Sequence, residues 1–211
     1  MDELKAIVLD FDGVLVESVG IKDRAYEVIF REYPKHFAEI IRYCHADNAT
    51  IRFKKFRYIF ERILRQEYTE AVEKELSGKF SQFVVPKIIE CPSVAGACEF
   101  LDHFYKKVPL YLASINPPAE LRTILQARNM AHYFKDIYAV PWIKEAALKD
   151  ILKKEHLAPD QVVFIGDSPE DCQSAQKAGV RFIGRLSNKA LDQFDVPVCR
   201  DLFEVMEILK V

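Results

Sequence analysis

The chain has 211 residues, half of them hydrophobic, with 30 basic and 32 acidic side chains and a formal charge of −2. That length suits one domain or a core domain carrying an insertion, and the apolar content excludes a disordered chain. Balanced charge gives no reason to expect a nucleic acid or an anionic membrane as partner, and no apolar run approaches the ~20 residues of a spanning helix.

The first predicted element is a strand over Ala6, Ile7, Val8 and Leu9, ending on Asp10 and Asp12 with Gly13 directly after. A short apolar run of this kind suits a strand buried on both faces of a parallel sheet. Because the strand begins by residue 4, no room is expected for a cleavable leader, and a cytoplasmic location is the default expectation. From residue 19 to 85 the pattern turns helical: Tyr26, Ile29, Phe30 and Tyr33, then Phe53, Phe56, Ile59, Phe60 and Ile63, then Val72, Leu76, Phe80 and Phe83. Pro34 and the stretch 46–50 read as breaks, and Glu17 and Ser18 as the entry. An all-helical block after one strand reads as an insertion, so the expected division is 1–16 with 86–211 as core and 17–85 as insert.

Pro86–Pro92 reads as the return crossing, followed by a helix from Pro92 or Ser93 to about Lys107. Strands are then expected at Val108–Ala113, Ile137–Val140, Val162–Ile165, Val180–Ile183 and around Val196–Cys199. Helices are expected near Pro118–Asn129, from Lys144 to His156, at Pro169–Ala178 and at Leu202–Leu209. Strands alternating with helices predict βαβ units and a Rossmann-like three-layer α/β core with a central parallel sheet.

Cys44, Cys91, Cys98, Cys172 and Cys199 are odd in number, with no CxxC pair, and the histidines show neither HxxxH nor HExxH spacing. These patterns support neither a disulfide framework nor a zinc centre. The basic run Arg52–Arg65 carries its aromatics at helical spacing and reads as a solvated helix with a core face. Arg52 remains a candidate for substrate contact, with Asn48 in the preceding break. Trp142 reads as packing, and Asn116 as the N-cap before Pro117–Pro118, with substrate contact its alternative.

In a parallel sheet, all strand C-termini lie on one side and polar residues far apart in sequence converge there. Asp10 and Asp12, Ser114, Lys144, and Asp167 with Asp171 all follow predicted strands. An acid, a hydroxyl, a base and a second acid on one rim suit phosphoryl transfer through an aspartyl phosphate. Asp10 and Asp167 can supply carboxylates to Mg²⁺, Asp12 can move protons, and Ser114 with Lys144 can hold phosphoryl oxygens. Lys149 and Lys135 compete for the lysine role but read as solvated charges.

DFDGVLVES, the serine of YLASINP, Lys144 and IGDSPEDCQSAQKAG together resemble the sequence motifs of haloacid dehalogenase-superfamily hydrolases. The likeness is to the branch that includes phosphoglycolate phosphatases and β-phosphoglucomutases. It implies Asp10 as nucleophile, Asp12 as general acid/base with its carbonyl on Mg²⁺, Asp167 as metal ligand and Asp171 as a nearby second acid. It also implies that the helical insert is a cap. Ile143-Lys144-Glu145-Ala146 departs from the Pro-containing stretch that follows the lysine in many relatives.

The expected activity is Mg²⁺-dependent hydrolysis of a small soluble phosphomonoester, sugar phosphate or phosphoglycolate-like, by a monomer or homodimer. A phosphosugar mutase on the same fold and a non-catalytic binding protein are the competing readings. A phosphonatase would need a Schiff-base lysine, for which Lys54 and Lys55 are available.

Overall fold

The computed structural model describes residues 4–46, 50–187, 191 and 193–209. The chain divides into two compact units, Met1–Glu17 with Cys91–Val211, and Ser18–Glu90. The first is α/β. Its strands are β1 (Ala6–Leu9), β2 (Leu110–Ala113), β3 (Phe134–Tyr138), β4 (Val162–Gly166), β5 (Arg181–Arg185) and β6 (Val198–Cys199). They form a six-stranded sheet in the order β3-β2-β1-β4-β5-β6, with every pairing parallel.

That order contains the switch point at which open α/β sheets hold ligands, beside the carboxyl end of β1. β1 is fully buried along its length, as a central strand covered by helices on both faces must be. One face of the sheet packs Val8, Tyr111, Phe164 and Phe182 with Leu148, Ile151 and Ala175. These last come from α7 (Lys144–Glu155) and α8 (Pro169–Ala178). Burial of Leu148 and Ile151 is worth about 1.5–3 kcal/mol each and helps hold α7 onto the strands. The register sets Leu9 level with Leu112 and Ile165. Continuing one and two residues along brings Asp10, Ser114 and Asp167 to the same rim.

The expected helix from residue 92 or 93 is shorter. Ala97–Phe104 is helical, and Gly96 in front of it adopts φ +76. A Cβ on Gly96 would stand 2.7 Å from the backbone nitrogen of Phe203. Residues ahead of it are drawn instead into an extended pairing with the loop after β1. Val94 N–H donates to Leu15 O at 3.0 Å and Glu17 N–H to Pro92 O at 3.0 Å, with an antiparallel bridge between Val16 and Ser93. Those hydrogen bonds outweigh the local helical pattern.

The second unit is helical: α1 (Val19–Phe30), α2 (Phe37–Ala46), α3 (Arg52–Tyr58) continuing as a π-helical turn over Ile59–Leu64, and α4 (Glu70–Glu90). Tyr26, Phe30, Phe56 and Phe80 make its interior, with ring centroids 5.0–6.1 Å apart. Pro86 does not end the helix as expected, because α4 runs on to Glu90. Val84 and Ile88 flank it and are buried, and their burial offsets the missing N–H. Among the described residues no helix is long and apolar enough to cross a membrane.

Candidate active site

The loop after β1 turns back on itself. Leu15 and Val16 N–H both donate to Phe11 O, and Gly13 N–H donates to Val16 O at 2.8 Å. Gly13 takes φ +77, a left-handed conformation open to glycine at no steric cost. This turn carries both Asp10 and Asp12, which are nearly buried. Asp10 is fixed at its backbone by donation from its N–H to Ile165 O at 2.9 Å. One of its side-chain oxygens accepts from Phe11 N–H at 2.7 Å. The other lies 2.8 Å from the Lys144 ammonium.

Lys144 opens α7 and bridges two acids, since its Nζ also donates to Asp171 Oδ1. Burial works against its charge, but Asp10 and Asp171 prevail and hold its pKa above the ordinary lysine value. Burial has the larger hand at Asp10, and the neighbouring Asp171, Asp167 and Asp12 add to it. Against the pull of Lys144, these raise the Asp10 carboxyl to about 7. Lys149 and Lys135 instead pair with Glu145 and Glu155 on the exposed surface.

Asp171 stands at the start of α8 and has a second task. Its Oδ2 accepts from the backbone N–H of Asp167 and of Ser168, each at 3.2 Å, while its own N–H donates to Ser168 Oγ. This is a capping box, with a negative charge in the first turn where the helix end favours it. Gly166 makes the approach possible, because a Cβ there would sit 2.5 Å from the Cβ of Asp171.

Carboxylate oxygens from Asp10, Asp167 and Asp171 lie within 4.8 Å of one another, and all these residues are buried. An all-oxygen set of hard donors suits Mg²⁺ and is unlike the thiolate or imidazole sets of zinc and copper. The family resemblance implies the carboxylates of Asp10 and Asp167 as ligands, Asp12 through its backbone carbonyl, and Asp171 as a nearby second acid. The observed carboxylate cluster has Asp171 in it, while the Asp12 carboxylate turns to another partner.

That partner is Asn116. Its Nδ2 donates to Asp12 Oδ2 at 2.7 Å, and its backbone N–H donates to Ser114 Oγ at 3.2 Å. Asn116 was expected as a helix N-cap. Pro117 holds that position for α6 (Pro118–Ala127), and the Asn116 amide goes to the acid instead. Ser114 is buried just beyond β2, its N–H bonded to Tyr138 O at 2.8 Å. Sequence reading missed the Asn116–Asp12 pairing; its only local signal was a polar side chain two residues after the strand-end serine.

The other candidates lie in the helical unit or outside the described residues. Asn48 falls in the latter group. Arg52 donates to Ser81 Oγ at 3.2 Å, and its guanidinium lies about 5 Å from the ring centroids of Phe53 and Phe80. Lys55 is buried and donates to Cys44 O at 2.8 Å, a cation at the end of α2 where the last carbonyls need donors. Trp142 meets Tyr138 edge to face at 5.2 Å.

A parallel α/β sheet with buried acids and a lysine at the switch-point rim puts charged groups where open α/β sheets hold their ligands. The chain belongs to the haloacid dehalogenase-like hydrolases, whose family model matches residues 4–179. It is similar to a phosphorylated carbohydrates phosphatase of Thermotoga maritima, with 23% identity over 190 residues covering 85% of this chain and 84% of that protein. A phosphoglycolate phosphatase of Pasteurella multocida is 25% identical over 195 residues, covering 87% and 86% respectively. Among solved structures, the HAD-hydrolase YfnB from Bacillus subtilis, bound to magnesium, superposes with a TM-score of 0.73 at 17% identity over the whole of both chains.

Proposed function

We propose that the protein is a Mg²⁺-dependent phosphatase of a small phosphomonoester, a sugar phosphate or a phosphoglycolate-like compound, working through an aspartyl phosphate. The observation that carries this reading is Asp10, buried at a strand end, 2.8 Å from the Lys144 ammonium and clustered with Asp167 and Asp171. Asp10, Asp167 and Asp171 would hold the metal with the Asp12 carbonyl, and the bound ion would neutralise charge on the phosphoryl oxygens.

An Asp10 oxygen attacks phosphorus and the ester P–O bond breaks, with Asp12 giving its proton to the departing oxygen. Water then attacks the acyl phosphate, Asp12 takes the proton from that water, and inorganic phosphate leaves with Asp10 restored as carboxylate. Lys144 and Ser114 hold phosphoryl oxygens, and Asn116 aims Asp12. The helical unit takes the part of the specificity-bearing cap that the family resemblance implies. The similarity to sugar-phosphate and phosphoglycolate phosphatases supports the substrate class.

Assay of Asp10→Asn with Mg²⁺ over a panel of sugar phosphates, phosphoglycolate and p-nitrophenyl phosphate tests the reading. A loss of roughly a thousandfold or more in kcat is expected where a covalent nucleophile is removed. Full retained activity would overturn the assignment.

A further inference from the structure

Arg185 ends β5 and is 8% exposed, an unusual setting for a charge that no catalytic role above uses. Although β4 separates β5 from β1 in the sheet, its guanidinium reaches the loop carrying Asp12. Nη1 donates to Gly13 O at 3.1 Å and to Glu17 Oε2 at 3.1 Å, and Nη2 donates to Glu17 Oε1. Nε donates to Arg200 O at 3.2 Å. Taking a guanidinium out of water is costly unless its donors are met, and here a two-pronged carboxylate and two carbonyls meet them. The planar fork tolerates little displacement, so the turn from Gly13 to Glu17 cannot shift without leaving a buried charge poorly paired.

Gly13 directly follows Asp12, so a hold on its carbonyl fixes the Gly13–Val14 peptide, one residue beyond the acid. The Asp12 side chain is held separately, by Asn116 at 2.7 Å. We propose that Arg185, with Glu17 as its counter-charge, is a positioning residue that fixes the Asp12-bearing turn for proton transfer to the leaving group. The inference rests on the reading of Asp12 as the proton donor.

Proton donation matters most when the leaving oxygen is a poor one. The test therefore compares kcat/KM for an alkyl phosphomonoester, glycerol 1-phosphate, with that for p-nitrophenyl phosphate, whose leaving group needs little protonation. In Arg185→Met the alkyl ester is expected to lose about 30- to 100-fold and the aryl ester less than about fivefold, a fraction of the whole general-acid contribution. Arg185→Lys, which keeps charge but not the fork, is expected to recover only part of the loss. Equal losses on both esters, or no loss on either, would overturn the proposal.

Asp12→Asn run alongside separates the two ideas. If it discriminates strongly between the esters while Arg185→Met does not, only the positioning role falls. A flat response of Asp12→Asn overturns the proton-donor reading, and the positioning role with it. Should Arg185→Met not fold, Glu17→Gln decides: the same bias toward loss on the alkyl ester supports the proposal, and an unbiased result overturns it.

Discussion

Each unit of the molecule buries a lysine, and the two are solved differently. Lys144, in the α/β unit, lies between Asp10 and Asp171, in a cluster of acids whose oxygens crowd within 4.8 Å. Lys55, in the helical unit, donates to the Cys44 carbonyl at 2.8 Å and stands 5.2 Å from the centroid of the Tyr26 ring. Near it, burial pushes the Cys44 thiol up to about 12, with Lys55 pulling the other way. One lysine holds together groups that repel each other. The other completes the end of a helix inside an aromatic interior.

The largest test of this contrast is Lys144→Met. It leaves the clustered acids without their buried cation, and removal of one member of a buried ion pair costs about 3–5 kcal/mol. Chemical denaturation without divalent ions should show that loss, Mg²⁺ should recover part of it, and kcat should fall by roughly a hundredfold or more. Lys55→Met should also destabilise, by about 1–3 kcal/mol for an unmet buried carbonyl. Mg²⁺ should give it no special recovery, and kcat per folded molecule should stay near the parent value. Equal Mg²⁺ recovery in both variants would erase the distinction.

A subtler test uses pH. The Asp10 carboxyl, raised to about 7 by burial and the surrounding acids against the pull of Lys144, binds its proton more tightly folded than unfolded. Its contribution to stability is therefore greatest in acid and declines as pH rises from near 4 through about 7. The Lys144 contribution, from a pKa held above the ordinary value, is constant across that window. In divalent-free buffer, the Tm of Asp10→Asn relative to the parent protein should rise between pH 5 and pH 8. A pH-independent difference would contradict the burial argument.

The smallest expected effect is at Gly179, which ends α8 with φ +76. A Cβ there would meet Pro159 only at an ordinary 3.6 Å. Gly179→Ala should thus cost about 1 kcal/mol from the backbone conformation alone, with kcat unchanged. A much larger loss would mean that the end of α8 also sets the geometry of Asp171.

Much of this site was legible in the chain because strand ends in a parallel sheet are predictable from apolar runs. β1, β4 and the acids after them follow from Ala6–Leu9 and Val162–Ile165 alone. Most of the return crossing expected over Pro86–Pro92 is instead helix, to Glu90, because burial of Val84 and Ile88 overrides the local cost of Pro86. The helix expected from residue 92 or 93 failed because Val94 found a partner at Leu15, far away in sequence.

By itself the sequence determined the layer architecture, the helical insertion and the identity of the acids at the rim. These depend on periodicity and on residue type at the end of an apolar run, which are local properties. Tertiary structure alone decided which acid takes which partner. The carboxylate of Asp171 gathers with those of Asp10 and Asp167, Asn116 turns to Asp12 instead of capping α6, and Arg185 reaches Gly13 and Glu17. Those choices are made between side chains separated by many residues, where hydrogen-bond geometry and burial select the partner and no sequence period records the choice.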